Sequence, residues 1–136
     1  MVLELQFLGA ARHVTGSKHL LCVGEKKVLL DCGPVQGPRR VADAANRRLP
    51  IAGRDVDVVV LSHAHIDHCG ALPRLVKDGL DGPIWCTEAT ADMLGMMLRD
   101  AAHIQSQDAK HLRKRGHDFE PLYDQEDVER TLRLVR

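Results

Sequence analysis

The run His63-Ala64-His65-Ile66-Asp67-His68 constrains this chain more than any other segment. Four potential metal ligands stand within six residues, directly after an apolar stretch from Val56 to Leu61. That stretch reads as a buried β-strand. Residues 70–79 read as a helix, with Ala71, Leu72, Leu75 and Val76 apolar. Pro73 falls in its first turn, where a missing N–H costs nothing. The cluster therefore sits at a strand-to-helix corner. Side chains two apart in an extended segment share a side, so His63 and His65 reach one metal ion. Asp67 and His68 leave on another vector as the chain turns into the helix, placed to serve a second ion. This is the geometry a two-metal hydrolase needs. A polar corner with chance histidines is the competing reading, and the structural context around the spacing weighs against it.

Length and composition set the frame. A chain of 136 residues forms one small domain with a core. Lys+Arg and Asp+Glu balance at 19 each, so net charge gives no case for a strongly cationic nucleic-acid binder. Phe7, Trp85, Phe119 and Tyr123 are the only aromatics, too few for a base-stacking platform. Cys22, Cys32, Cys69 and Cys86 show neither C-x-x-C pairing nor structural-zinc spacing, and read as buried thiols in a reducing compartment. Cys69 follows His68 directly, so a ligand role for it is the lesser alternative. No signal-peptide pattern opens the sequence and no run is long enough to span a membrane. The expectation is a soluble, cytoplasmic protein with no membrane partner.

Along the chain, residues 2–8 alternate as a first strand. His19 to Val23 and Lys27 to Leu30 form a hairpin around Gly24-Glu25-Lys26. Residues 39–48 suit a short charged helix, and Pro83 to Cys86 a short strand. Thr87 is a helix N-cap, opening a helix with Ala91, Leu94, Met97, Leu98 and Ala101 on its apolar stripe. From Arg99 to Pro121 the chain turns charged, with His103, His111 and His117 among Lys110, Arg113, Lys114 and Arg115. This reads as a solvated helix end and loop. The sharper reading is a phosphate-meeting surface near a substrate entrance. Asp124 caps a last helix that carries Val128, Leu132 and Val135 on one face.

The His63–His68 run resembles the H-x-H-x-D-H signature of the metallo-β-lactamase superfamily. Three further segments resemble its β-CASP nuclease branch: Gly9-Ala10-Ala11-Arg12-His13-Val14-Thr15-Gly16-Ser17, Leu30-Asp31-Cys32-Gly33 continuing to Gln36-Gly37, and Glu120-Pro121-Leu122-Tyr123 with Glu126-Asp127-Val128. His13 departs from the acidic residue expected there. The resemblance implies an α/β fold: the N-terminal half of an αββα sandwich, a mixed sheet flanked by helices. Residues 1–136 would then be an incomplete domain, lacking the β-CASP insertion and the C-terminal half. His63 and His65 would bind a first zinc, and Asp67 and His68 a second, with manganese as the alternative metal. Asp67 would also orient the nucleophile. Asp31 would be an outer carboxylate orienting a ligand histidine. Gly16 and Gly33 read as backbone devices permitting tight turns near the site.

The function implied is two-zinc cleavage of RNA phosphodiester bonds, weak or absent in these residues alone. Alternatives are a superfamily hydrolase acting on a thioester, lactone or lactam, and a non-catalytic half-domain that binds metal or a partner. Half a sandwich leaves one sheet face bare, so a C-terminal half or a homo-oligomer is expected to cover it.

Overall fold

The computed structural model describes residues 2–136. An alternating pattern builds β1 (Leu3–Phe7), and short apolar runs build β2 (His19–Val23) and β3 (Lys26–Leu30). They form an antiparallel meander, with Gly24 in the left-handed conformation at the β2–β3 turn. β4 (Val58–Val60) and β5 (Ile84–Trp85) then add in parallel, giving one five-stranded mixed sheet in sequential order. Among the described residues five α-helices, α1 (Arg39–Arg47), α2 (Ile66–Cys69), α3 (Leu72–Lys77), α4 (Glu88–Lys114) and α5 (Gln125–Leu132), and one 3-10 turn (Gly53–Asp55) complete the fold.

The helix caps follow the sequence reading. The Thr87 hydroxyl accepts from the Thr90 N–H at 3.3 Å and starts α4. Asp124 and Asp127 form a reciprocal capping box at α5. The helix expected over 70–79 is shorter. Within that span only α3 (Leu72–Lys77) forms, with Pro73 in its first turn, and the separate short helix α2 precedes it, carrying Asp67 and His68 with His65 as its N-cap. α4 is longer than the sequence suggests. It continues through the charged stretch to Lys114, because Ala102 and Ala109 keep burying its inner face.

Helices cover one side of the sheet. Leu20, Leu29, Val59 and Ile84 lie in a single register row across β2 to β5, and all are buried. They meet Leu72, Leu75 and Val76 of α3, Leu94 and Leu98 of α4, and Val128 of α5 in one core. The opposite side is bare. The row Phe7, His19, Leu30, Val60 and Trp85 runs along it, with Phe7 66% and Trp85 52% exposed. The next row holds Leu5, Leu21, Val28 and Val58. β4 is therefore buried on one face only, where an apolar run would suggest burial on both. β1 is telling, because Leu3, Leu5 and Phe7 point to the bare side while Glu4 and Gln6 point to the helix side.

Covering a large apolar side chain is worth about 1.5–3 kcal/mol, so several in one patch drive association. The isolated chain is expected to self-associate at high concentration. Replacing Phe7 and Trp85 by glutamate should shift it toward monomer with unchanged helical content. Sedimentation of the unaltered chain as a monodisperse monomer at high concentration would contradict this.

Candidate metal centre

Strand polarity sets where the functional side chains gather. β3 and β4 are parallel, so their carboxyl ends share one edge, and β2 begins at that same edge. Asp31 directly follows β3, and Ser62 to His68 follow β4. Such an edge is where ligands bind in open α/β sheets. Three backbone hydrogen bonds knit the loops there: Asp31 N–H to Val60 O at 2.9 Å, Cys32 N–H to His68 O at 2.7 Å, and Ser17 N–H to Asp67 O at 3.2 Å.

The three imidazoles of the run converge. Ring centroids of His63 and His65 are 4.7 Å apart, and those of His63 and His68 are 4.1 Å apart. Asp67 Oδ2 lies 3.5 Å from His68 Nε2. His65 is the N-cap of α2 but makes no capping bond, so its ring remains exposed. Among the described residues, no three His, Cys, Asp or Glu side chains close around one point. The His63 and His65 rings meet edge-on, and the His63 and His68 rings are tilted.

Asp31 is the hub of the site. Its side chain is nearly buried, and its backbone adopts φ 60°, a left-handed conformation that costs a non-glycine residue about 1–3 kcal/mol. Hydrogen bonds hold it there. Oδ1 accepts from the Ser62 N–H at 2.8 Å. Oδ2 meets His68 Nδ1 at 2.7 Å, Ser62 Oγ at 2.9 Å and Ser17 Oγ at 3.3 Å.

Three supporting residues had no role assigned from the sequence. Ser62 stands between Asp31 and His63, with its Oγ 2.8 Å from His63 Nδ1. Its one sequence signal is its place between the strand and the first histidine. Lys18 is buried and its ammonium donates to the carbonyls of Gly33 and Gly16, clasping two loops together. Burial pushes its pKa below the ordinary lysine range. Tyr123 donates from its hydroxyl to Gly70 O at 2.8 Å, tying the start of α5 to the end of the histidine turn.

Two lesser alternatives are set aside, and the main readings of Cys69 and of the basic stretch stand. Cys69 faces the core, with its thiol 3.4 Å from Ala64 O, and burial pushes its pKa up to about 12. It is a packed thiol and does not face the histidines. The basic end of α4 is also far from the site. The first turns of α4 line a cleft beside His63 and His65 through Ala89, Thr90 and Met93. Lys110 is twenty residues further on, roughly 30 Å away at 1.5 Å per residue. Arg113 instead pairs with Glu120 at 2.7 Å.

The donor set suits a divalent ion. Imidazole nitrogen and carboxylate oxygen are the ligands zinc takes. Ser62 and Asp31 take up Nδ1 of His63 and His68, which leaves Nε2 of each ring for a metal, that of His68 beside Asp67 Oδ2 at 3.5 Å.

Fold and site together place this chain in a defined class. It belongs to the metallo-beta-lactamase superfamily, whose family model matches residues 16–135. Membership in this superfamily implies divalent metal ions. A relative named Ribonuclease TTHA0252, from Thermus thermophilus, is 40% identical over 130 residues, covering 94% of this chain and 26% of that protein. Transcription termination factor FttA from Cenarchaeum symbiosum is 36% identical, covering 96% of this chain and 19% of that protein. Integrator complex subunit 11 from Danio rerio is 40% identical over 105 residues, covering 71% and 17%. The chain thus spans about a quarter or less of the length of these relatives. Among solved structures, a mutant of the Cronobacter sakazakii metallo-beta-lactamase with a HARLDQ motif shares the fold. Its TM-score is 0.51 at 21% identity, covering 71% of this chain and 35% of that one. No helix among the described residues is long and apolar enough to cross a membrane.

Proposed function

We propose that these residues form the N-terminal part of a metal-dependent ribonuclease of the β-CASP type. The observation that carries this reading is the convergence of His63, His65, Asp67 and His68 on one turn, anchored by Asp31. The 40% identity to a protein named a ribonuclease supports RNA as the substrate. His63 and His65 would hold one zinc ion, and Asp67 and His68 another. When bound, such ions lower the pKa of water to about 7 and act as Lewis acids toward the scissile phosphate.

The protein's own part is placement. Asp31 orients His68 and fixes the Ser62 backbone. Asp67 would hold a metal ion and help to orient the nucleophile. The cleft floored by Ala89, Thr90 and Met93 adjoins His63 and His65, and supplies an apolar wall beside the reacting group. Each metal has two ligands from this turn, whereas catalytic zinc sites usually use three protein ligands plus water. The remaining ligands would come from a further part of the protein, and that part or a second copy of the chain would cover the bare sheet face.

The test is cleavage of a labelled single-stranded RNA with and without chelator. Residues 1–136 alone are expected to bind zinc weakly and cleave little or no RNA. The chain completed to the length of its relatives is expected to show chelator-sensitive cleavage. Hydrolysis of a lactone or thioester by the completed protein, with RNA untouched, would reassign the substrate. Metal binding with no hydrolysis of any of these would favour a non-catalytic role.

A further inference from the structure

We infer that Ser62 is a positioning residue that transmits the orienting effect of Asp31 to His63, so that one carboxylate sets the tautomer of both His63 and His68. The inference rests on the metal-binding reading above and deepens it.

The argument is one of donors and acceptors. A serine hydroxyl carries a single proton and two lone pairs, and a carboxylate only accepts. Ser62 Oγ lies 2.9 Å from Asp31 Oδ2 and 2.8 Å from His63 Nδ1. Facing a carboxylate, the hydroxyl must donate to Asp31. It can then only accept from His63, so His63 carries its proton on Nδ1. His68 meets the same Oδ2 directly at 2.7 Å, so it too carries its proton on Nδ1. Both rings therefore present the lone pair of Nε2. Asp31 reaches one histidine at first hand and the other through Ser62. The two histidines belong to different metal positions, so the network couples the two.

Ser62 is exposed, yet it is not free to turn away. Its backbone N–H donates to Oδ1 of Asp31 at 2.8 Å while its hydroxyl donates to Oδ2. This two-point grip on one carboxylate fixes the side chain over His63. A threonine offers the same hydroxyl. An alanine keeps the backbone bond and removes the relay alone.

The readout is the ring-nitrogen NMR spectrum of the metal-free, 15N-labelled chain, held above the imidazole titration range. Neutral imidazole in water favours the proton on Nε2, so a proton on Nδ1 reports the network. His63 and His68 should both show it in the unaltered protein. In Ser62→Ala, His63 should revert to the solvent preference while His68 keeps its proton on Nδ1. Ser62→Thr should restore His63. Zinc affinity, measured by competition with a chelator, should fall about tenfold to a hundredfold in Ser62→Ala and recover in Ser62→Thr. A His63 proton on Nε2 in the unaltered protein would overturn the proposal, and needs no variant to fold. So would a His63 tautomer that is the same with and without the Ser62 hydroxyl. Failure of zinc to bind any form would count against the metal site, while the tautomers would still decide the relay.

Discussion

His65→Ala or Asp67→Ala, made in the chain completed to the length of its relatives, is expected to abolish RNA cleavage while leaving the fold intact. His65 is exposed and caps α2 without a hydrogen bond from its ring. Its removal therefore takes nothing from the core. Asp67 is half-buried in the first turn of α2, and its carboxylate meets His68 Nε2 at 3.5 Å, a contact that a bound metal would replace. Loss of either leaves one metal with a single ligand from this turn. Misplacing a reacting group by about 1 Å already costs about a hundredfold in rate, and loss of a ligand should exceed that. Unchanged thermal unfolding with cleavage reduced by at least about a hundredfold is the expected pair of measurements. Cleavage within a few-fold of the unaltered protein would mean that the chemistry lies elsewhere.

The turn was legible in the sequence because its signal is local. An apolar run, four potential ligands within six residues and a helical pattern beyond them define a corner without any long-range information. The hairpin, the Thr87 cap and the Asp124 cap were legible for the same reason, since each depends on neighbours three or four positions apart. Around the turn, the family resemblance singled out Asp31, but the serines that hold it were not legible. Ser62 and Asp31 are 31 residues apart, and Ser17 and Asp31 are 14 apart. Nothing in a serine's own neighbourhood tells it from a serine facing solvent. Lys18 shows the limit more sharply. A lysine between Ser17 and His19 reads as a surface residue, yet it is buried because two glycine carbonyls converge on its ammonium.

Helix length and strand burial failed for different reasons. Beyond Arg99, α4 is charged on most of its circumference, and only Ala102 and Ala109 are fully buried. Small buried residues at that spacing give a weak period, so the helix seemed to end early. For β4, the apolar character of both faces is plain in Val58, Val59 and Val60, and the fold buries Val59 while leaving Val60 exposed. The sequence prepares the second face for burial without naming the element that covers it.

The close approach of two loops gives the second large effect. Gly33→Ala is expected to destabilise the chain and to displace the histidine turn. A Cβ on Gly33 would stand 1.5 Å from Asp67 O, 2.1 Å from Asp67 C and 2.7 Å from His68 N. All three are backbone atoms of the turn, so no side chain can rotate aside. Relief requires the 31–37 and 65–68 segments to part by more than an ångström. Three backbone bonds hold them and the neighbouring loop together: Gly33 N–H to Ser17 O at 3.0 Å, Ser17 N–H to Asp67 O and Cys32 N–H to His68 O. At about 1 kcal/mol each, their loss amounts to roughly 3 kcal/mol, a large share of a small domain's stability. Gly24→Ala is the matched control. Gly24 also has a left-handed backbone, φ 61°, but a Cβ there meets nothing within 4 Å. Its cost should be confined to backbone strain of about 1–2 kcal/mol, with metal binding unchanged. Urea unfolding and chelator competition for zinc measure both variants. Equal stability in the two, with equal zinc affinity, would show that the turn carrying Asp67 and His68 does not depend on the glycine beneath it.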